Sequence, residues 1–293
     1  MRNLLIIYLI IAFISCNPAK KTEKEETGTD AVKPVYKLEL VWASDTLLRT
    51  PESVFFDKER RVLYIANINL NPWEKDGNGF ISRMDLSGNI IDLKWVEGLS
   101  GPKGMGVYGS SLYVADIDEI VQIDLEEGVV SDRFELEGNP GLNDVTVGED
   151  GTVYVSGSSS NKIYALKDGE VTEFLSGEDE RFNGLFWEKD RLLLITSGSS
   201  QFMAIDWDTR AISIISENMG AGDGIVSIGE GEYLTSSWAG AIFHVSADGT
   251  ATKILDTEAD NMNTADIDYS PEDTLLFIPT FNDNRVKAYK LIF

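Results

Sequence analysis

A layout that recurs every 40 residues or so constrains this chain more than any other feature. Six segments share it: a small or polar turn, a short apolar strand, a turn, and a second strand. In order they are PESVFFDKERRVLYIAN (51–67), PKGMGVYGSSLYVAD (102–116), LNDVTVGEDGTVYVSG (142–157), FNGLFWEKDRLLLITSG (182–198), GDGIVSIGEGEYLTSSW (222–238) and TADIDYSPEDTLLFIPT (264–280). Anchored on the second residue of each, the units begin at Glu52, Lys103, Asn143, Asn183, Asp223 and Ala265, spaced by 51, 40, 40, 40 and 42 residues. The one long spacing holds a Gly-rich insertion, NLNPWEKDGNG (69–79).

A period near 40 that divides into four strand-sized pieces is that of a β-propeller blade. The third unit shows all four pieces: Val145–Gly148, Thr152–Ser156, Lys162–Leu166 and Val171–Leu175, with turns at Glu149-Asp150-Gly151 and Asp168-Gly169. Dipeptides of this kind supply the positive φ that hairpin turns need. Second strands such as LYIAN, LYVAD and VYVSG are β-branched and aromatic, as a sheet covered on both faces requires. The last unit has only three strands, Ile267–Tyr269, Thr274–Ile278 and Arg285–Leu291. Its missing outer strand is expected from Tyr36–Ala43, upstream of the first unit. The expected fold is therefore all-β: a six-bladed β-propeller over residues 36–293, its ring closed by an N-terminal strand that completes the last blade and removes free sheet edges.

Residues 1–16, MRNLLIIYLIIAFISC, read as a lipoprotein signal peptide. Arg2 supplies a positive start, and the apolar run Leu4–Ile14 is too short for a comfortable membrane span. Phe13-Ile14-Ser15-Cys16 resembles a bacterial lipobox, which makes Cys16 the lipidation site. Residues 17–35 are polar, charged and free of aromatics, the composition of a flexible tether. The expected location is the cell envelope, with the only membrane contact through the lipid. Cys16 is the only cysteine, so the chain has no internal disulfide and no thiolate zinc site.

There are 25 Lys and Arg against 49 Asp and Glu, a net charge of −24. Such a surface repels phosphate backbones, so nucleic acid is not an expected partner. In a propeller the first strand of each blade lines the central axis. The six anchors are thus expected to form a ring at one mouth of the channel, with Asp144 and Asp266 one residue on. Carboxylate and amide oxygens suit Ca²⁺ better than Zn²⁺ or Cu²⁺. The only histidine, His244, falls in the third-strand region of unit five. It reads as structural, which weighs against a Ser-His-Asp triad or a multi-His metal site. The segment DGNG (76–79) lacks the downstream acidic pattern of a calcium loop; Arg83 stands where such a loop needs another oxygen. It reads as a long loop near the mouth, with Trp73 as a contact. Trp187 and Trp238 read as packing residues of the repeats.

At these anchors the sequence resembles the regucalcin–gluconolactonase (senescence marker protein) group of six-bladed propellers. Glu52 in PESVFFD matches its first-blade Glu, Asn183 in FNGLFW its Asn-Gly motif, Asp223 in GDGIV its Asp-Gly motif, and Asn143 in GLNDVTV a further Asn-Asp motif. The four occur in the family's order, and the resemblance spans roughly residues 45–293. It implies a divalent metal, most simply Ca²⁺, held by Glu52, Asn183 and Asp223, and metal-assisted hydrolysis of a lactone or related ester. Asp223 would be the general base, and Asn143 would bind substrate. Two departures stand out. The family's Arg shortly before the blade-three Asn is absent from Pro140-Gly141-Leu142. Lys103 puts an ammonium into the ring, where it could bind an anionic substrate or take the metal's place through a salt bridge. In the second case the chain is a non-catalytic envelope lipoprotein that binds a partner or small ligand on the propeller face. A closed ring makes a monomer the expected state.

Overall fold

The computed structural model describes residues 35–178 and 180–293. The expected signal peptide, Cys16 and all but the last residue of the expected tether lie outside the described residues. The described chain is six antiparallel sheets of four strands each. Blade one comprises Pro51–Asp57, Val62–Asn67, Gly79–Met84 and Ile90–Leu99. The first strands of blades two to five are Pro102–Tyr108, Leu142–Val147, Phe182–Trp187 and Gly222–Gly229. The only helices among the described residues are two 3₁₀ turns, Glu258–Asp260 and Phe281–Asp283. Neither is long or apolar enough to cross a membrane.

Blade six closes as the sequence indicates. Lys37–Ala43 pairs antiparallel with Val286–Ile292, outside the strands Leu275–Pro279 and Asp268–Ser270. The closing strand also grips both neighbouring blades. Tyr36 donates its hydroxyl to Glu232 of blade five at 2.7 Å, and its ring lies 4.2 Å from that of His244. The Trp42 indole donates to the Leu86 carbonyl of blade one at 2.9 Å. His244 is thus a packing residue under the closure, with Nε2 3.2 Å from Glu232.

The core lies between blades, because each sheet must bury both faces. Tyr64, Ile81 and Val96 of blade one pack with Met105, Val114 and Val121 of blade two. Five further clusters cover the remaining blade surfaces. At ~1.5–3 kcal/mol per buried Val, Leu or Ile side chain, these seams hold the ring closed.

The first strands carry one irregularity that positions the site. In blades two to five the strand register skips two residues: Lys103-Gly104, Asn143-Asp144, Asn183-Gly184 and Asp223-Gly224. Blade one shifts between Pro51 and Ser53, around Glu52. A bulge bends the strand and re-aims its side chains. The blade-three strand accordingly starts at Leu142, three residues earlier than its apolar pattern indicates. The glycine after the anchor has a packing cause. A Cβ on Gly224 would meet Ile267 N at 2.5 Å, one on Gly104 would meet Asp144 Cα at 2.5 Å, and one on Gly184 would overlap the Asp223 carbonyl oxygen. Neighbouring first strands approach this closely around the axis.

Candidate functional site at the channel mouth

Five of the six anchors converge. Glu52, Lys103, Asn143, Asn183 and Asp223 line one cavity of about 410 Å³. Its walls are Ile68, Pro72, Trp73, Ala221, Trp238 and Phe281, with Arg181 and Ser197 beside them. All five anchors are buried. The sixth, Ala265, does not reach the cavity. It is fully buried, with its carbonyl accepting from Ser236 at 2.7 Å.

Asp144 and Asp266 do not join the ring. They line a second cavity of about 400 Å³, with Asp268, Lys58 and Trp187. The bulge sends the anchor side chain to the mouth and the next residue toward the neighbouring blade. Asp144 occupies the place that glycine holds in three other blades. Its carboxylate accepts from Val145 N and, across the seam, from Leu185 N, both at 2.6 Å. Asp268 bridges likewise to Phe56 N of blade one at 2.7 Å. Asp266 accepts from the Ser53 hydroxyl at 2.6 Å. These acids tie first strands together at the hub.

At the mouth, the side-chain amide of Asn183 donates to the Gly222 carbonyl at 3.0 Å, which leaves its oxygen, buried, with no partner. Glu52 Oε2 is also buried without a partner. Asn143 is held by donation to Ser158 Oγ at 3.1 Å, and Ser158 in turn donates to the Phe182 carbonyl at 2.6 Å. Lys103, at 2% exposure, forms no ion pair with the ring acids. Its ammonium donates to the carbonyls of Pro72 and Gly101, each at 2.9 Å, and lies 4.2 Å from the centre of the Trp73 ring. The Gly101 turn is itself fixed by Asp116, which accepts from Ser100 N at 2.8 Å and Gly101 N at 2.6 Å.

Burial raises the Glu52 carboxyl well above its ordinary range, helped by the Asp223 charge and opposed by Lys103. Asp223 is pushed up to about 7, again chiefly by burial, with the Asn183 amide and Lys103 pulling the other way. Burial lowers the Lys103 ammonium, against the pull of Glu52, Asp116 and Asp223. Leaving a buried oxygen unpaired costs ~1–3 kcal/mol. Two such atoms in one cavity, beside a carboxylate, are a donor set that a hard cation would satisfy. Two carboxylates and an amide make up that set. Among the described residues, no three His, Cys, Asp or Glu side chains form a metal site on their own.

Arg181 and Phe281 carry no repeat signal and escape the sequence reading, while Trp238, read as a packing residue of its repeat, lines the cavity. Trp238 is not a packing residue: it is 41% exposed, with its ring 5.5 Å from that of Phe281. Phe281 has φ 47, an uncommon backbone for a bulky residue. Arg181, with φ 51, precedes the blade-four strand. Trp73 reaches the cavity as the insertion's position indicates.

No protein-family model and no curated protein matches the chain. Solved structures do resemble it. A catalytically inactive variant of virginiamycin B lyase from Staphylococcus aureus, with quinupristin, aligns over 88% of this chain and 100% of its own at 14% identity and TM-score 0.63. A protein provisionally assigned as a gluconolactonase aligns over 87% and 92% at 14% identity and TM-score 0.64. An auxiliary nutrient binding protein from Bacteroides thetaiotaomicron aligns over 83% and 69% at 12% identity and TM-score 0.64. What this likeness establishes is the fold: the chain is a six-bladed β-propeller, an architecture it has in common with a lyase, a gluconolactonase-type protein and a nutrient-binding protein.

Proposed function

We propose that the protein is a hydrolase of a lactone or related ester that works with a divalent metal ion, calcium by ligand type, held by Glu52, Asn183 and Asp223. The observation that carries this reading is the pair of unpartnered buried oxygens, Glu52 Oε2 and Asn183 Oδ1, in the cavity that Asp223 also lines. When bound, the ion would supply Lewis-acid polarisation of the carbonyl and activation of water. Asp223, lining the same cavity, takes the proton of the attacking water, as a carboxylate beside it can. The water oxygen bonds to the carbonyl carbon, the carbon–oxygen ester bond breaks, and the proton passes to the leaving oxygen. Asn143, fixed by Ser158, orients the substrate. The Lys103 ammonium, held at the cavity wall, is placed to meet the leaving oxygen. Trp73, Trp238 and Phe281 exclude water. A lyase resting on a histidine does not suit this site, because His244 is packed under the closing strand.

The reading places the propeller in the cell envelope, lipid-anchored through Cys16, as a monomer with no nucleic-acid partner. The test is turnover on a panel of lactones and esters. Activity is expected to vanish with chelator and in Asp223→Ala while the circular dichroism stays native. Turnover that survives both changes sinks the mechanism.

Lys103 supports one other reading. A cation already buried in the ring could serve a non-catalytic lipoprotein that captures a partner or small ligand at this face. No turnover across the panel, together with one stoichiometric envelope partner in a pull-down, would select it.

A further inference from the structure

The acids of this chain outnumber the bases about two to one. Most described arginines are accordingly paired: Arg60 with Asp57, Arg83 with Asp92, Arg133 with Glu119, Arg191 with Glu188. Arg49 donates to three carbonyls, and Arg210 lies over the Phe174 ring. Arg181 is the exception. Among the described residues its guanidinium has no hydrogen bond, ion pair or ring contact.

This unpartnered guanidinium stands at a junction. Arg181 lines the mouth cavity, and it also lines an adjoining groove of about 530 Å³ between the ends of blades three and four. Trp73 is the other residue common to both. The groove is otherwise polar, formed by Asn139, Ser158, Ser159 and Asn161. The backbone of Arg181 is fixed rather than loose. Its N–H donates to Asn161 Oδ1 at 2.6 Å, and its carbonyl accepts from Ser197 N at 3.0 Å. Two residues on, the blade-four strand that follows delivers Asn183 to the ring. Ser158 joins the two spaces from the other side, since it lines the groove and holds Asn143.

A planar, permanently charged fork with five donors matches a carboxylate bidentately. From this arrangement we infer that the mouth selects ligands bearing a carboxylate: Arg181 grips that group at the junction, the hydroxylated body runs into the Asn139–Asn161 groove, and any reacting group sits over the ring. The net charge of −24 would otherwise repel such a ligand, so Arg181 acts as the determinant of specificity. This deepens the hydrolase reading by naming its substrate class. The binding itself needs no hydrolysis.

Calorimetry on the full chain in detergent, with calcium present, tests it using a matched pair: glucuronate, and glucose as its uncharged counterpart. A charge-assisted fork predicts glucuronate binding about ten- to a hundred-fold tighter than glucose. Arg181→Gln should erase that preference, Arg181→Lys should restore only part of it, and neither should change calcium affinity. Equal binding of the two sugars, a preference that survives Arg181→Gln, or no glucuronate binding at millimolar concentration would each overturn the assignment. A second pair, 4-carboxyphenyl acetate and phenyl acetate, separates the two readings. Anion preference without turnover removes the hydrolase and keeps the subsite; turnover without preference does the reverse.

Discussion

Buried acids at the hub make folding stability depend on pH in an unusual direction. Asp268 is raised from 3.8 to about 6, and Asp144 from 3.8 to about 7, both chiefly by burial. Asp266 and Glu52 are raised well above their ordinary values for the same reason. A carboxyl with a raised folded pKa binds its proton more tightly in the fold than in the unfolded chain. Stability is therefore fullest below the unfolded value and is lost as pH climbs to the folded one. Each such group contributes about 1.4 kcal/mol per pH unit while it is protonated in one state only. Between about pH 5 and pH 6 Asp144, Asp223 and Asp268 all act; between about pH 6 and pH 7 Asp144 and Asp223 still do, beside the raised Asp266 and Glu52. Neighbouring carboxyls cannot all ionise independently, so the expected total loss from pH 5 to pH 8 is ~2–4 kcal/mol. The exposed acids with lowered values, such as Asp150 and Asp206, titrate below this window and do not offset it. Lys103, lowered by burial, works in the opposite sense toward alkaline pH. Urea unfolding at about pH 5, 6, 7 and 8 with chelator present measures the slope. Asp268→Asn should flatten it below about pH 6. A midpoint that stays level or rises toward pH 8 refutes the reasoning.

Other consequences follow from single contacts. Gly184→Ala forces a Cβ into the Asp223 carbonyl and should cost ~3 kcal/mol or more in urea unfolding. Gly138→Ala, with nothing within 4 Å and only its φ of 84 to strain, should cost ~1 kcal/mol. Tyr36→Phe removes the hydroxyl that ties the closing strand to Glu232 and should cost ~0.5–1.5 kcal/mol, with hydrogen exchange faster along Lys37–Ala43. Unchanged exchange there would mean that the closure rests on the Trp42 and strand contacts alone.

The blade count, the closing strand and five ring residues were legible because a 40-residue period fixes which residues recur at the axis. The destinations of Asp144 and Asp266 were not, because a bulge reverses the alternation at that point. One signal for it was present. Gly104, Gly184 and Gly224 all follow their anchors, and a repeated glycine marks a close backbone approach. The residue after each anchor therefore faces a neighbouring strand, and Asp144 is the blade-three member of that set. Arg181 and Phe281 fall just outside the repeat units and Trp238 at the end of one, where the period says nothing of what a side chain meets. Their roles come from how loops of different blades meet, which only the folded ring displays. The Asn-Gly and Asp-Gly pairs have a packing cause: the glycines are needed by the fold, so only the Asn183 and Asp223 side chains bear on the proposed site.

The most direct test of the proposed metal site is calcium binding by the protein, followed by titration calorimetry and melting temperature beside Asp223→Ala and Lys103→Ala. The account predicts one saturable calcium per chain, lost in Asp223→Ala and kept in Lys103→Ala. Absence of binding by the parent, with binding by Lys103→Ala, would contradict it: the lysine would then occupy the ion's place.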